Sequence, residues 1–231
     1  MKNNWLIFAN DDILSNKLAK KILMIAEESI KLKGDFTIVL AGGKSPKKLY
    51  EILKGSNSEW DKWIVYIGDE RCLPIDDNER NDGQIMKEWL NVSHIKKENI
   101  YSIKAELGML NAKLDYEKVL SKVDVFDVVL LSVGEDGHTA SLFPNRRYND
   151  IDSVVLEYKS PKKPLERISM SYSRLNSSKY VFKIVSGRNK KDMVDSWIEG
   201  KLLPINKING NIEEVYLNIN AISRRWNNTH E

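Results

Sequence analysis

The sequence predicts an α/β fold: a mainly parallel central sheet flanked by helices, Rossmann-like in its alternation and forming one domain over residues 1–231. Three observations predict it. Apolar runs of strand length alternate with segments of helical period, the pattern of a parallel sheet with helices on its faces. Several of those runs end in a glycine followed at once by polar and charged residues, as strands do where they open toward a ligand. No internal repeat, low-complexity tract or Gly/Ser/Pro-rich linker divides the chain.

The elements follow in order. Leu14, Leu18, Ile22, Ile25, Ala26 and Ile30 fall on one face of residues 12–32 with lysines and glutamates opposite, which predicts an amphipathic first helix. "FTIVL", Phe36 to Leu40, is a strand running into two glycines. Pro46 then suits the first position of a helix, "PKKLYEIL", with Ser45 as its cap. "WIVYIGDER" reads as a strand ending in three charged residues, with helices to follow near "GQIMKEWL" and over 105–122. "FDVVLLSVG", Phe126 to Gly134, is the next strand and leads into "EDGHTASLFP". "SVVLEY", "RISMSY" and "KYVFKIVSG" are strands, a helix runs from about Asn189 to Ile198, and "EVYLNI" is the last strand.

Composition removes several classes of function. A formal net charge of +3 comes from acids and bases interspersed along 231 residues, so no basic block marks a nucleic-acid or membrane surface, while small anions remain suitable partners. Cys72 is the single cysteine, which excludes an internal disulfide and fits a reducing compartment. The apolar stretch in "MKNNWLIFANDD" is too short for a signal peptide, and no later run has the length of a bilayer span, so the expectation is a soluble cytoplasmic protein.

"LAGGKSP" carries the Gly-Lys-Ser of nucleotide phosphate loops, but the glycine such a loop needs five residues earlier is Ile38. A strand, a tight glycine turn and a helix start still aim free N–H groups outward, which suits one phosphate; an ordinary Gly-rich turn that binds nothing is the alternative. If the strands ending in "AGGKSP", "GDER" and "GEDGHTASLFP" are neighbours, Lys44, Ser45, Asp69, Arg71, Asp136 and His138 converge on one sheet edge. His138 stands in a glycine-bounded turn beside Asp136, where a carboxylate can orient a histidine base. His94 and His230, in a polar connection and a charged tail, are assigned to solvent. Leu73 and Pro74 fold the turn after "DER" back on the protein and leave its charges at a cleft edge. "DDNERNDG" lacks the ligand order of an EF-hand, so no metal is expected there. Cys72 has no adjacent base to make it a nucleophile. Arg167, beginning a strand, and Lys190, opening a helix behind Gly187, are two further candidate cations.

Together, "LAGGKSPKKLYEIL", "GDERCLP", "FDVVLLSVGEDGHTASLFP", "RISMSYSRLN" and "VSGRNK" resemble, in order and approximate spacing, the 6-phosphogluconolactonases, which share a superfamily with glucosamine-6-phosphate isomerase/deaminase. The resemblance implies an α/β fold of the NagB type, a cytosolic place in the pentose phosphate pathway, and hydrolysis of 6-phospho-D-glucono-1,5-lactone. It implies no metal or organic cofactor, and composition already speaks against a nucleic-acid or membrane partner. By the same resemblance His138 is the general base, Asp69 and Arg71 lie at the reacting end of the sugar, and Gly42, Gly43, Lys44 and Ser45 with Arg167 and Lys190 hold the phosphate. The chain departs from the pattern twice: Arg80-Asn81 replaces the usual Ser-Asn, and Lys44 stands where many members have serine. An isomerase or deaminase on the same fold is the runner-up, though such relatives continue after "DGH" with Ile-Ala-Phe-Asn-Glu-Pro, whose acid is missing here. A non-catalytic sugar-phosphate sensor calls for a basic helix-turn-helix that the opening residues do not show.

Overall fold

A computed structural model describes residues 4–227; His230 lies outside them. In chain order the elements are β1 (Trp5–Phe8), α1 (Asp11–Lys33), β2 (Phe36–Leu40), α2 (Lys47–Lys54), β3 (Trp63–Ile67), β4 (Asp69–Arg71), α3 (Asn81–Glu88), β5 (Ile100–Tyr101), α4 (Met109–Leu120), β6 (Phe126–Ser132), β7 (Val154–Glu157), β8 (Arg167–Met170), α5 (Tyr172–Asn176), β9 (Ser178–Val185), α6 (Lys191–Ile198), β10 (Ile212–Asn218) and α7 (Arg224–Asn227). A seven-stranded sheet has the order β1-β10-β9-β6-β2-β3-β5, and every neighbouring pair in it is parallel. β4, β8 and β7 make a separate antiparallel sheet.

The first helix shows how local chemistry sets these boundaries. Asn10 accepts the amide of Ile13 at 2.9 Å and caps α1; Asp11 and Asp12 occupy its first turn, and Gly34 ends it at φ +89. All six expected apolar positions of this helix are buried. Alternation along the strands then divides the core between the two faces of the sheet. Phe36, Ile38 and Leu40 of β2 join Val128 and Leu130 of β6 under α1 and α2, with Trp60, Trp63 and Trp89. Val39, Val129 and Leu131 face the opposite way, toward α4, α6 and the small sheet.

Asp127, at the start of β6 and fully buried, ties this frame together. Its Oδ2 accepts the Thr37 amide at 2.8 Å and the Thr37 hydroxyl at 2.9 Å, and its carboxylate pairs with Lys33 at 3.0 Å and Lys179 at 2.8 Å. Burial pushes this carboxyl up, but the bonds from Lys179, Thr37 and Lys33 outweigh it and hold Asp127 below the ordinary aspartate value.

Two expectations need correction. "DER" does not end β3: the strand stops at Ile67, the chain turns at Gly68, and Asp69–Arg71 pair with β8 in the small sheet, Asp69 opposite Ser169 and Arg71 opposite Arg167. Ser45 does not cap α2. A turn closed by the Lys47 amide on the Lys44 carbonyl at 3.3 Å delays the helix to Lys47 and puts Pro46 at its cap position, which leaves the Ser45 side chain to the loop.

Candidate active site

Because β2 lies between β6 and β3, the three glycine-ended motifs do meet. They open, with the segments after β7 and β9, onto a cleft of about 740 Å³ at the carboxyl edge of the parallel sheet. Gly42, Gly43, Lys44, Ser45, Asp69, Arg71, His138, Arg167 and Lys190 all line it; Asp136 reaches the site through His138.

The β2–α2 loop is shaped by two glycines with different tasks. Gly43 has φ +92, a left-handed conformation that side chains resist. Gly42 is pressed against Asn81, so that a Cβ at 42 would stand 2.1 Å from Asn81 Oδ1. Tyr50 of α2 donates to the Ala41 carbonyl at 2.6 Å and fixes the loop from beneath. Among the described residues, the amides of Gly43, Lys44 and Ser45 have no protein acceptor, which suits them to an anion.

The loop after β6 is a tight double turn. Gly134 N–H donates to the His138 carbonyl at 2.7 Å, Thr139 and Leu142 exchange amide–carbonyl bonds at 3.1 and 2.9 Å, and the Thr139 hydroxyl returns to the Ser132 carbonyl at 2.8 Å. Gly137 (φ +86) and Ala140 (φ +47) take left-handed conformations; the latter is strained backbone beside the cleft. This fold-back brings Oδ1 of Asp136 onto Nδ1 of His138, and the ring rests on Phe143 with centroids 4.8 Å apart. Burial pushes the Asp136 carboxyl up, yet the bond and charge of the His138 ring prevail and hold it well below the carboxylate range. Nε2 is then the ring nitrogen left without a protein partner among the described residues.

Alternation along β4 sorts the "DER" charges. Asp69 and Arg71 face the cleft, where Asp69 Oδ2 accepts the Ser141 hydroxyl at 2.7 Å and Arg71 Nη1 donates to the Glu79 carbonyl at 2.7 Å. Glu70 faces away, so the expectation that all three charges stand at the cleft edge is corrected. Its carboxylate is fully buried and accepts the amides of Arg71, Asn81 and Asp82 at 2.8, 2.7 and 2.9 Å, capping α3. Burial and the neighbouring Asp82 charge push Glu70 up to about 8, against the pull of those amides. Arg71 and Arg167 are direct cross-strand partners, so both guanidinium groups lie on one edge of the cleft. Burial lowers the pKa of Arg167, and burial likewise lowers that of Lys190. Cys72 is pushed up to about 11 by burial and by Glu166 and Glu70, a poor thiolate at neutral pH. His94 is exposed, as expected.

Residues 9–217 match the family described as Glucosamine-6-phosphate isomerases/6-phosphogluconolactonase. The chain belongs to that family. It is 33% identical over 224 residues to the probable 6-phosphogluconolactonase 4, chloroplastic, of Oryza sativa subsp. indica, covering 87% of this chain and 69% of the relative. It is 31% identical over 213 residues to the probable 6-phosphogluconolactonase 2 of the same plant, covering 84% of this chain and 76% of the relative. A crystal structure of 6-phosphogluconolactonase from Thermotoga maritima superposes with a TM-score of 0.85 at 26% identity, covering 93% of this chain and 99% of that one. A monomeric glucosamine-6-phosphate deaminase of the NagB superfamily has a TM-score of 0.78 at 20% identity, covering 94% and 98%, so lactonases and deaminases of this family share the fold.

Two details set this member apart. Arg80, at the position where the resemblance leads one to expect serine, is fully buried and does not line the cleft. It grips Asp82 with Nε at 3.0 Å and Nη2 at 2.8 Å, Glu106 with Nη1 at 2.7 Å, and the Ile103 carbonyl at 3.0 Å. Its burial opposes its charge, but Asp82 and Glu106 hold it firmly ionised. Phe143, five residues after His138, stands where the isomerase pattern has its glutamate, and an aromatic ring rather than an acid lies against the histidine. Sequence reading missed Gly134, Asn81, Ser141 and Lys162. Gly134 left a signal, a glycine at a strand end, and Asn81 keeps the second residue of the Ser-Asn pattern; Ser141 and Lys162 depend on which distant segments the fold brings together. Among the described residues, no helix is long and apolar enough to cross a membrane, and no three His, Cys, Asp or Glu side chains gather to hold a metal ion.

Proposed function

We propose that the protein hydrolyses 6-phospho-D-glucono-1,5-lactone to 6-phospho-D-gluconate in the oxidative branch of the pentose phosphate pathway, in the cytoplasm. The observation that carries this over an isomerase or deaminase is Phe143 on the face of His138, which leaves the site without the ring-opening acid of those relatives. Similarity to named 6-phosphogluconolactonases supports the same reading.

A lactone is an activated ester, so a positioned water and a base suffice. Nε2 of His138 takes a proton from water as the water oxygen bonds to C1, with Asp136 holding Nδ1–H and favouring the imidazolium that forms. Arg71 balances charge on the developing oxyanion and then on the product carboxylate. The C1–ring oxygen bond breaks, and the proton carried by His138 passes to the departing oxygen. Asp69, fixed by Ser141, orients the sugar at this end. The phosphate rests on the amides of Gly42 to Ser45 between Lys44, Lys190 and Arg167, and its binding energy holds C1 in register. No step calls on a metal or organic cofactor, so dialysis against a strong chelator leaves the rate unchanged; a loss restored by a divalent cation overturns that part.

The deciding experiment incubates purified protein with freshly generated 6-phosphogluconolactone and, separately, with glucosamine 6-phosphate, following acid release and ammonia. Acid without ammonia is expected; ammonia without acid reverses the assignment.

A further inference from the structure

The segment between β7 and β8 extends Lys162 and Lys163 to the cleft lining, although no strand-end motif includes them. Its shape is fixed from inside. Arg167, only 4% exposed, donates Nε to the Pro164 carbonyl and Nη2 to the carbonyls of Lys162 and Lys163, each at 3.2 Å. Ser160 Oγ donates to the Lys162 carbonyl at 2.7 Å and accepts the Lys162 amide at 3.2 Å, and the Ser160 amide closes on the Leu165 carbonyl at 2.9 Å. A buried guanidinium that gathers three loop carbonyls beneath it turns the loop's side chains outward.

Neither Lys162 nor Lys190 makes an ion pair among the described residues. Each ammonium nevertheless acts on the same small region: after burial and Glu135, Lys162 is the next charge felt by Lys190, and it is felt by Asp136 as well. The two lysines, on different loops, repel across one cleft; Glu135 and Asp136 offset part of that repulsion, and a dianion between the lysines offsets more.

We propose that Lys162 is a further phosphate-binding residue, which reaches over the cleft from the β7–β8 loop toward Lys190 and closes on the phosphate from the side opposite Gly42–Ser45. This rests on the reading that the cleft takes a phosphorylated sugar lactone. It also recasts Arg167, whose buried donors serve first to hold the loop, so that part of its effect on substrate passes through Lys162.

The test is Lys162→Ala, an exposed position whose truncation spares the fold. KM for 6-phosphogluconolactone should rise roughly three- to tenfold, the range for a charge-assisted bond from a solvent-screened lysine, with kcat within about twofold. KM for glucono-1,5-lactone, which lacks the phosphate, should not change. Titration of inorganic phosphate by calorimetry should show the same weakening, and Lys162→Glu should exceed it. Unchanged phosphate binding in Lys162→Ala, or equal losses on the two lactones, overturns the inference. If the wild type fails to turn over the phosphorylated lactone while phosphate binding still depends on Lys162, the functional reading falls and the phosphate site stands.

Discussion

Oδ1 of Asp136 is hydrogen-bonded to Nδ1 of His138 while Phe143 lies on the ring 4.8 Å from its centre, so the imidazole is fixed at one nitrogen and on one face. For a neutral ring this sets the Nδ1–H tautomer and leaves Nε2 as the basic atom. Replacing His138 with Ala should therefore lower kcat by roughly 10² to 10⁴ with little change in KM, after spontaneous lactone hydrolysis is subtracted. Asp136→Asn keeps the shape but removes the charge facing the imidazolium, and should cost kcat less than the loss of the ring itself. A His138→Ala enzyme with near wild-type kcat removes the base from the mechanism.

Gly134 offers a sharper test of ring placement. A Cβ there would stand 2.1 Å from both Cε1 and Nδ1 of His138 and 2.7 Å from Asp136 Oδ1. Its φ is not in the left-handed region, so alanine fits the backbone and the conflict is with the His138 ring and the Asp136 carboxylate bonded to it. Gly134→Ala should shift the imidazole and lower kcat by about 10², the order expected for a misplacement near 1 Å. Circular dichroism and the thermal midpoint should stay close to wild type. An active Gly134→Ala enzyme, or one that has simply unfolded, contradicts this account.

The strand-and-helix alternation and the polar residues at three strand ends were legible because each is a local pattern: Phe36–Leu40 and Phe126–Ser132 are apolar runs bounded by glycine, and α1 keeps its period for 23 residues. What escaped depends on partners distant in sequence. Nothing in "GDER" announces that Gly68 turns the chain into a second sheet opposite Arg167, so the burial of Glu70 and the pairing of Arg71 with Arg167 could not be read. Ser141 meets Asp69 across 72 residues, and Asn81 braces Gly42 from another helix. Lys162 was invisible for the same reason: its loop is shaped by Arg167, a residue that reads in sequence as a ligand rather than an anchor.

Arg80 tests the meaning of the departure at that position. Its guanidinium is shared by Asp82, Glu106 and two carbonyls, with Glu70 3.9 Å away, so Arg80→Ser leaves the Asp82 and Glu106 carboxylates without their cation beside a buried vacancy. Removing one partner of a buried charge network costs about 3 to 5 kcal/mol, which chemical denaturation should report as a lower midpoint. Because Arg80 does not line the cleft, kcat/KM per folded molecule should stay within a few-fold. Wild-type stability in Arg80→Ser means the network contributes nothing.

Asp127 makes acid sensitivity predictable in sign. Its folded pKa lies below the unfolded value near 3.8, so the native state binds fewer protons than the unfolded chain in that range. The stabilisation it contributes is therefore fully present above the unfolded pKa and lost as pH falls through the folded one; stability should drop steeply below about pH 4. Asp127→Asn cannot reproduce the site, because the Thr37 amide, the Thr37 hydroxyl and Lys33 all direct protons at Oδ2 while Lys179 faces Oδ1, and one carboxamide end must then present N–H to a donor. At neutral pH the substitution should cost about 2 to 4 kcal/mol, the low end for a buried ionic site, since Lys33 and Lys179 are 35% and 40% exposed and partly screened. Urea unfolding across pH 2 to 7 checks both parts: the gap between wild type and variant should be largest at neutral pH and close on acidification. Two parallel stability curves would show that Asp127 does not titrate with folding.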